Sequence, residues 1–283
     1  MTDLIPANDV GPAVKVAGAK RRRLRKILLT LSLAFTFLGP LIFMLAGVGS
    51  KLGLWSWQFG LGTLTAKLGP VVLIAGGFIS LLALIAAFAV TPRKGIFIAA
   101  LGLIVPLLAF GKLGQTQATV AELPFIHDVT TDTQDPPVFG DVVMAERGAV
   151  EGVNTADYIG KKAPVTAADG SKSEKLVAAL QTQAYPDIRP LVLNQSRDVV
   201  FGEALATAKA MGWDIKEENL EVGRIDATDT TFWYGFEDDI TIRLRASEGG
   251  GTIVDVRSLS RVGGSDIGKN AARVGDFLQR LSE

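Results

Sequence analysis

The densest cluster of polar side chains in this sequence lies near its C-terminus. Gly263–Gly264 permits an unusual backbone path into a helix N-terminus, where free N–H groups favour anions. The pattern predicts a site for an anionic ligand such as a carboxylate or a lipid headgroup. In a structural alternative, Ser265 or Asp266 caps the helix, and the arginines pair across strands with Asp255 and Asp226. The candidate binding residues are Arg243, Arg257, Arg261, Ser265, Asp266, Lys269 and Asn270.

Acidic residues and a single histidine offer a second kind of chemistry. Glu237, Asp238 and Asp239 precede a predicted strand, where they suit either the carboxylates of a hydrolase or a solvated turn. His127 is the only histidine, so a Ser-His-Asp triad would have to use it. Because acidic residues such as Asp128 are close to it in sequence, His127 could belong to a metal site. The alternative is that it is a polar loop residue that bonds to the domain surface. Because neither pattern is a complete site, and cysteine is absent, we predict no catalytic residue, metal or cofactor.

Two helices and a sheet are predicted to position the C-terminal cluster. Apolar residues recur at helical spacing after Asp198 and again after Gly264, where the stripe of the last helix begins at Ile267 and continues through Ala271 and Val274. Four strands are predicted between them, at residues 213–216, 222–232, 239–246 and 252–258. The last two form a hairpin around a glycine-rich turn. This order predicts a soluble α+β domain of two layers, with an antiparallel sheet and both helices on one face.

Alternation along the strands distinguishes the two faces of this sheet. Ile240, Ile242 and Leu244 point one way and Arg243 and Arg245 the other, because side chains alternate with a period of two. The same argument adds further residues to the polar face, namely Arg224, Asp226, Asp255 and Arg257. We expect this polar face to be exposed to solvent.

The segment before the sheet is harder to assign. Residues 124–164 are rich in Pro, Gly, Asp and Thr, which predicts extended segments and loops laid over the domain. Residues 171–174 form a capping box, S-x-x-E, and apolar residues follow on one helical face. We therefore predict a helix that begins there and ends before Tyr185.

Three long apolar segments precede the soluble domain. Residues 27–50, 68–92 and 95–111 contain no charged side chain, and about 20 apolar residues cross a bilayer as a helix. They predict an α-helical membrane anchor of three transmembrane helices, and a cleaved signal peptide is disfavoured because the first segment is too long. Transport is not indicated, since ion pathways usually need an ionisable residue inside a span. The predicted regions are a basic tail at 1–26, the anchor at 27–114 and the soluble domain at 115–283, with its core at 185–283.

Charge is divided along the chain in the same way. Residues 1–120 carry 12 Lys and Arg against 2 Asp and Glu, whereas residues 121–283 carry 17 against 27. Basic residues cluster before the first span and at Arg93–Lys94, which by the positive-inside rule places both in the cytoplasm. Three crossings then predict a periplasmic C-terminal domain on a bacterial inner membrane. The acidic domain argues against nucleic acid as a partner.

The C-terminal part resembles the Domain of Unknown Function 1499 family. The clearest segment is residues 257–274, which read RSLSRVGGSDIGKNAARV. Further matching pieces are IHDVTTD at 126–132, PPVF at 136–139, YPDI at 185–188, GW at 212–213, IDAT at 225–228 and FEDDI at 236–240. Some members of that family resemble this chain also in having N-terminal membrane helices. The resemblance implies no established activity, substrate or catalytic residue.

Three functions fit these observations. The favoured interpretation is a membrane-tethered periplasmic binding or scaffolding domain without catalysis, whose partners are membrane lipid or a small anionic molecule. The first alternative is an envelope hydrolase that uses carboxylates such as Asp238 and Asp239. The second alternative is an accessory subunit that stabilises a partner membrane protein through its three helices.

Overall fold

The computed structural model describes residues 12–167 and 169–283, which divide into two compact units at Gln117 and Ala118. The N-terminal unit contains α1 (Pro12–Lys51), a wider π-type helix (Gln58–Leu68), α2 (Gly69–Ala89) and α3 (Ile96–Glu122), whose last residues belong to the second unit. Three continuous helical stretches, Val16–Lys51, Gln58–Ala89 and Ile96–Glu122, are long and apolar enough to span a membrane. The predicted three-helix membrane anchor is therefore confirmed. The first part of the predicted basic tail, residues 1–11, lies outside the described residues.

Small residues bring these helices together. Ser32 of α1 and Ser80 of α2 share a hydrogen bond of 2.8 Å, and a Cβ at Gly102 of α3 would lie 2.3 Å from the Ser80 hydroxyl. Hydroxyl and glycine contacts of this kind allow close helix packing in lipid. Arg25, which is buried, donates to the carbonyls of Val90 and Pro92 beyond the end of α2.

The C-terminal unit is built on one antiparallel sheet. Its elements follow in the order β1 (Asp128–Thr130), α4 (Asp141–Gly148), β2 (Lys162–Thr166), β3 (Lys172–Leu176), α5 (Val177–Ala184), β4 (Leu191–Leu193), α6 (Arg197–Ala210), β5 (Asp214–Asn219), β6 (Arg224–Thr230), β7 (Glu237–Ala246), β8 (Thr252–Ser260) and α7 (Lys269–Ser282). The main sheet has the order β1-β8-β7-β6-β5, and β4 pairs with the same edge of β8 as β1. A separate hairpin joins β2 and β3.

The apolar face of the sheet lies under α6 and α7, as the sequence predicts. Ile240, Ile242 and Leu244 are buried against both helices, and Trp213 stacks on Phe277 with a ring distance of 5.3 Å. Gly212 ends α6 with a φ of 80°, a left-handed value that glycine adopts without steric cost. The prediction of an α+β domain with an antiparallel sheet and these two helices on one face is confirmed.

The opposite, polar face is buried, and the expectation of a solvent-exposed face is wrong. Asp226, Asp255 and Arg257 are at most 2% exposed. Residues 131–160, including α4, cover this face, and Val143 of α4 packs with Phe139 and Leu259. These residues do lie over the domain as predicted, although the helix α4 within them was not predicted.

The region around the capping box also differs from its prediction. Residues 172–176 form β3, which pairs with β2, and the helix α5 begins only at Val177. A local S-x-x-E pattern is a weak preference, and tertiary strand pairing overrides it here. The helix still ends before Tyr185, as predicted.

Candidate functional site

The predicted binding cluster is divided by the fold into a buried ionic part and a more exposed elbow. The elbow is residues 261–270, which connect β8 to α7. Arg257, Arg261 and Asn270 are buried, and Arg243 lies further along the sheet next to Asp255. Ser265 and Asp266 are half-buried in the elbow, and Lys269 is exposed at the start of α7.

Arg257 is fully engaged inside the domain. Its Nε and Nη2 donate to the two carboxylate oxygens of Asp128 at 2.9 Å each, and its remaining bonds go to the carbonyls of Pro137 and Ala156. Lys161 adds a second cation to the same carboxylate at 2.7 Å. This guanidinium has no face left for a ligand.

Arg261 belongs to a second ionic cluster. Its Nε and Nη2 donate to Asp239, and further bonds reach Glu237 and Glu146 at 2.7 Å each. Arg147 of α4 donates to Oδ2 of Asp239 at 2.7 Å, the oxygen that also accepts from Nε of Arg261. Burial lowers and these carboxylates raise the pKa of Arg261, and the net effect is a raised pKa. The cluster attaches α4 to the sheet.

Arg243 and Asn270 also use their hydrogen-bonding groups within the protein. Arg243 donates to Asp255 on β8 and to Asp135 in the covering segment. Asn270 donates to the carbonyl of His127 and accepts from Ser258 and from a further guanidinium, Arg273. The cross-strand pairing with Asp255 matches the structural alternative considered from the sequence.

Asp239 is enclosed by cations rather than poised for catalysis. It is fully buried and accepts from Arg147, Arg261 and Thr228, while Asp238 accepts from Arg273 at 2.7 Å. A general acid or base must reach the proton that it transfers. In residues 12–167 and 169–283, no three His, Asp or Glu side chains converge in a way that could hold a metal ion.

Asp266 already occupies the helix N-terminus that the sequence offered to an anion. Its carboxylate accepts from the backbone N–H of Gly268 at 2.9 Å and of Asn270 at 2.8 Å. Burial raises the pKa of Asp266, and these two hydrogen bonds partly offset that rise. A second anion here would meet the carboxylate, so this helix end serves as a structural cap.

Hydrogen bonds attach the elbow to the segment that leads into β1. The N–H of Asp266 donates to the carbonyl of Ile126 at 3.1 Å, and Nδ1 of His127 bonds to the carbonyl of Gly264 at 3.2 Å. His127 is therefore a packed loop residue. Its pKa is lowered, mainly by burial and further by Lys161.

The elbow also forms one wall of an apolar groove of about 420 Å³. We call it the elbow groove, and its lining residues are Leu123, Ala184, Tyr185, Pro186, Asp187, Ile188, Ile267, Gly268, Ala271 and Ala272. Volumes of 300–1,000 Å³ with predominantly apolar walls are typical of small-molecule sites. The sequence predicts Ile267 in the apolar stripe of the last helix, and Leu123 and Tyr185 are not among the predicted binding residues.

Ile267 adopts a backbone conformation that is unfavourable for its residue type. It has a φ of 55°, and it is the one non-glycine residue with positive φ in the part of the chain that the structure describes. A β-branched residue in the left-handed region costs about 1–2 kcal/mol, and such strain concentrates at functional sites. Half of its side chain is exposed (51%), at the rim of the groove.

A comparison with family models identifies the soluble part. The model described as a protein of unknown function, DUF1499, matches residues 128–281, more than half of the chain. The chain belongs to the DUF1499 family. This confirms the resemblance seen in the C-terminal segment, and the DUF1499 match includes both ionic clusters and most of the elbow groove. A comparison with curated proteins finds no significant match.

Proposed function

We propose that this chain is a membrane-tethered, non-catalytic module that binds the apolar part of a membrane lipid in the elbow groove. The observation that carries the proposal is the strained and half-exposed Ile267 at the rim of that groove. Folding would favour a residue such as Gly or Asn at a φ of 55°. An isoleucine in this position is explained by a requirement for apolar surface.

The chemistry of the groove supports a lipid rather than a free anion. Its walls are chiefly aliphatic, and Leu123 and Ile188 face the same space as Ala271. Arg257 and Arg261 are committed to Asp128 and Asp239, so they do not provide free positive charge. Lys269, exposed beside Gly268, remains able to contact an anionic headgroup.

Chain connectivity supports a membrane source for this ligand. Leu123 forms part of the groove and directly follows α3, whose residues form the last candidate span. The apolar stretch of that span ends near Leu113, and a helix rises 1.5 Å per residue, so Leu123 follows it within about 15 Å. The groove therefore begins close in sequence to the last span, which favours the surrounding bilayer as the source of the lipid.

We further propose that the N-terminus is cytoplasmic and the C-terminal domain periplasmic on a bacterial inner membrane. Basic residues before the first span and at Arg93–Lys94 support this orientation. A reporter that is active only in the cytoplasm should be silent when fused after Glu283, and a periplasm-specific reporter should be active. The reverse pattern would overturn the orientation.

The lipid proposal is tested by native mass spectrometry of the full-length protein released gently from membranes. The test variant is Ile267→Asn, because asparagine tolerates the left-handed conformation and removes the apolar side chain. Losing about 1 kcal/mol of apolar contact should lower lipid occupancy about fivefold. The matched control is Val222→Asn, an exposed turn residue (57% exposed) outside the groove.

Lipids bound around the three spans will also remain on the protein in both variants. The test is therefore the difference in lipid occupancy between the two variants. Equal lipid occupancy in Ile267→Asn and Val222→Asn would overturn the proposal. A phospholipid with a photoactivatable acyl chain locates the binding site. Crosslinks should form with residues 184–188 and 267–272. Crosslinks confined to the spans would count against the groove.

A further inference from the structure

Aromatic residues dominate one exposed turn of the C-terminal domain. This turn, the aromatic tip, is residues 231–236, which join β6 to β7 and read TFWYGF. Phe232 is 74% exposed and Trp233 is 51% exposed. Large apolar side chains in a water-facing turn are unfavourable, so a cluster of this kind indicates a contact surface.

The aromatic tip is an ordered structure. Two hydrogen bonds of 2.8 Å between Thr231 and Phe236 close the turn. The Thr231 N–H donates to the Phe236 carbonyl, and the Phe236 N–H donates to the Thr231 hydroxyl oxygen. Phe232 and Trp233 meet edge to face at 5.1 Å, and Tyr234 stacks on Phe236 at 5.6 Å. The rings are therefore held in a defined arrangement that presents Phe232 and Trp233 outward.

Strand register places the tip at one particular end of the sheet. Thr230 pairs with Glu237 directly before the turn, and Leu259 of β8 pairs with both Asp239 of β7 and Asp128 of β1. The start of β1 therefore lies at the same end of the sheet as the aromatic tip. With strands about 4.8 Å apart, β1 is about 10 Å from β7 and about 15 Å from β6.

The chain comes from the membrane to this same end. Residues 123–127 lead into β1 and follow α3, the last candidate span. Two further exposed apolar residues, Phe125 and Ile267, belong to the segment before β1 and to the elbow. The end of the sheet that receives the chain from α3 is thus also the end that carries exposed aromatic side chains.

The opposite end of the sheet provides a contrast within the same domain. The β7–β8 turn, residues 247–251, reads SEGGG, and the β5–β6 turn at the same end carries the exposed aliphatic residues Leu220 and Val222 but no aromatic ring. An aromatic preference for turns in general would not distinguish the two ends. The exposed aromatic rings lie at the end of the sheet where the chain arrives from α3.

We infer that the aromatic tip inserts into the headgroup region of the bilayer that the chain spans and so fixes the orientation of the domain on the membrane. Trp, Tyr and Phe suit this region because their rings are apolar and, in Trp and Tyr, carry a polar group that stays hydrated. The occupant is the lipid interface itself. The inference does not depend on ligand binding in the elbow groove.

The test uses tryptophan fluorescence of the full-length protein in proteoliposomes that contain brominated phospholipids. The chain has four tryptophans, and Trp55 and Trp57 are first replaced by phenylalanine so that Trp233 and the buried Trp213 remain. In the matched control, Trp233→Phe is combined with Glu248→Trp, which moves the reporter to the opposite turn. Quenching by bromolipid requires contact with the acyl-chain or headgroup boundary.

Bromolipid should quench the protein with Trp233 at least about twofold more than the protein with tryptophan at position 248, because only the first reporter lies at the interface. Water-soluble acrylamide should show the opposite order. Equal bromolipid quenching at the two positions, or stronger acrylamide quenching of Trp233, would overturn the inference. The reporter protein keeps the native tip, because Trp233 is the native residue, and the substitution Trp233→Phe is confined to the control.

Discussion

Arg257 and Asp128 form a buried, two-point ion pair between β8 and β1. The Nε–Oδ1 and Nη2–Oδ2 distances are both 2.9 Å, and neither side chain is more than 2% exposed. The guanidinium also lies 5.1 Å from the ring centre of Phe139 and 5.6 Å from that of Tyr158. Arg257 of β8 thus binds both β1 and the segment that covers the polar face.

Removing this arginine should strongly destabilise the domain. In Arg257→Met, Asp128 stays buried with Lys161 as its remaining cation, and breaking a buried pair costs about 3–5 kcal/mol. The measurement is denaturant unfolding of the full-length protein in detergent, followed by tryptophan fluorescence, to which the buried Trp213 contributes. Arg245→Met is the matched control, since Arg245 is 40% exposed and should cost about 1 kcal/mol or less.

The double variant Arg257→Met with Asp128→Asn separates pairing from burial. If the cost comes mainly from an uncompensated carboxylate, neutralising Asp128 should recover part of the lost free energy of unfolding. Costs that simply add, or an Arg257→Met variant as stable as the wild type, would contradict the ionic role assigned to this pair.

The alternation of the strands was readable from the sequence, whereas the exposure of the polar face was not. Arg243 and Arg257 do lie on the face of the sheet opposite to that of Ile240 and Ile242, because the period of two is a local property of the backbone. Whether that face meets water depends on residues 131–160, which are distant in sequence. The acids that neutralise the arginines include Asp128 of β1 and Asp135 of the covering segment, both distant in sequence from the arginines.

The candidate groove illustrates a different limit of sequence reasoning. Ile267 fits the apolar stripe of the last helix, but the helix begins only at Lys269, so Ile267 has left-handed backbone instead. Backbone strain of this type has no sequence signature at a β-branched residue. The aromatic tip carried a clear signal, since four of the residues 232–236 are aromatic, and the predicted strand through Phe232 concealed it.

The start of α4 should be sensitive to a single methyl group. A Cβ at Gly140 would lie 2.5 Å from Nη2 of Arg224 and 2.6 Å from Oδ2 of Asp226, which accepts a hydrogen bond from the Gly140 N–H. Gly140→Ala should therefore displace α4 or these side chains and cost about 1–3 kcal/mol of unfolding free energy. Thermal unfolding of the full-length protein measures this effect.

Gly148 at the other end of α4 is the matched control. A Cβ there has no heavy atom within 4 Å, and alanine is the better helix former by about 0.5–1 kcal/mol. Gly148→Ala should leave the melting temperature unchanged or raise it. Equal effects of the two substitutions would show that the close packing of Gly140 against Asp226 does not limit stability.

The strained Ile267 should separate stability from lipid binding. Ile267→Asn replaces a residue that is disfavoured at a φ of 55° with one that tolerates it, at a half-exposed site. The melting temperature should stay the same or rise, although lipid occupancy falls. A variant that melts well below the wild type would show that Ile267 is kept for packing, and would remove the main argument for the groove.

His127 should make the stability of the domain depend on pH. Burial lowers the pKa of His127 from 6.5 in the native state, with Lys161 and Arg147 acting in the same direction and Asp128 and the hydrogen bond to Gly264 opposing them. As the pH falls through about 6.5, the unfolded chain binds a proton that the native chain does not, so the free energy of unfolding decreases. Above that pH, both states are neutral and the effect disappears.

The comparison that isolates this effect is wild type against His127→Gln, which removes the titrating group and keeps a polar side chain. Asp226 and Asp266, whose pKa values are raised by burial, are present in both proteins and cancel in the difference. Between about pH 7.5 and about pH 5.5, the wild type should lose more thermal stability than His127→Gln. Melting curves that shift in parallel would show that the native state binds the proton as readily as the unfolded chain, contrary to the packed position of His127 between β1 and the elbow.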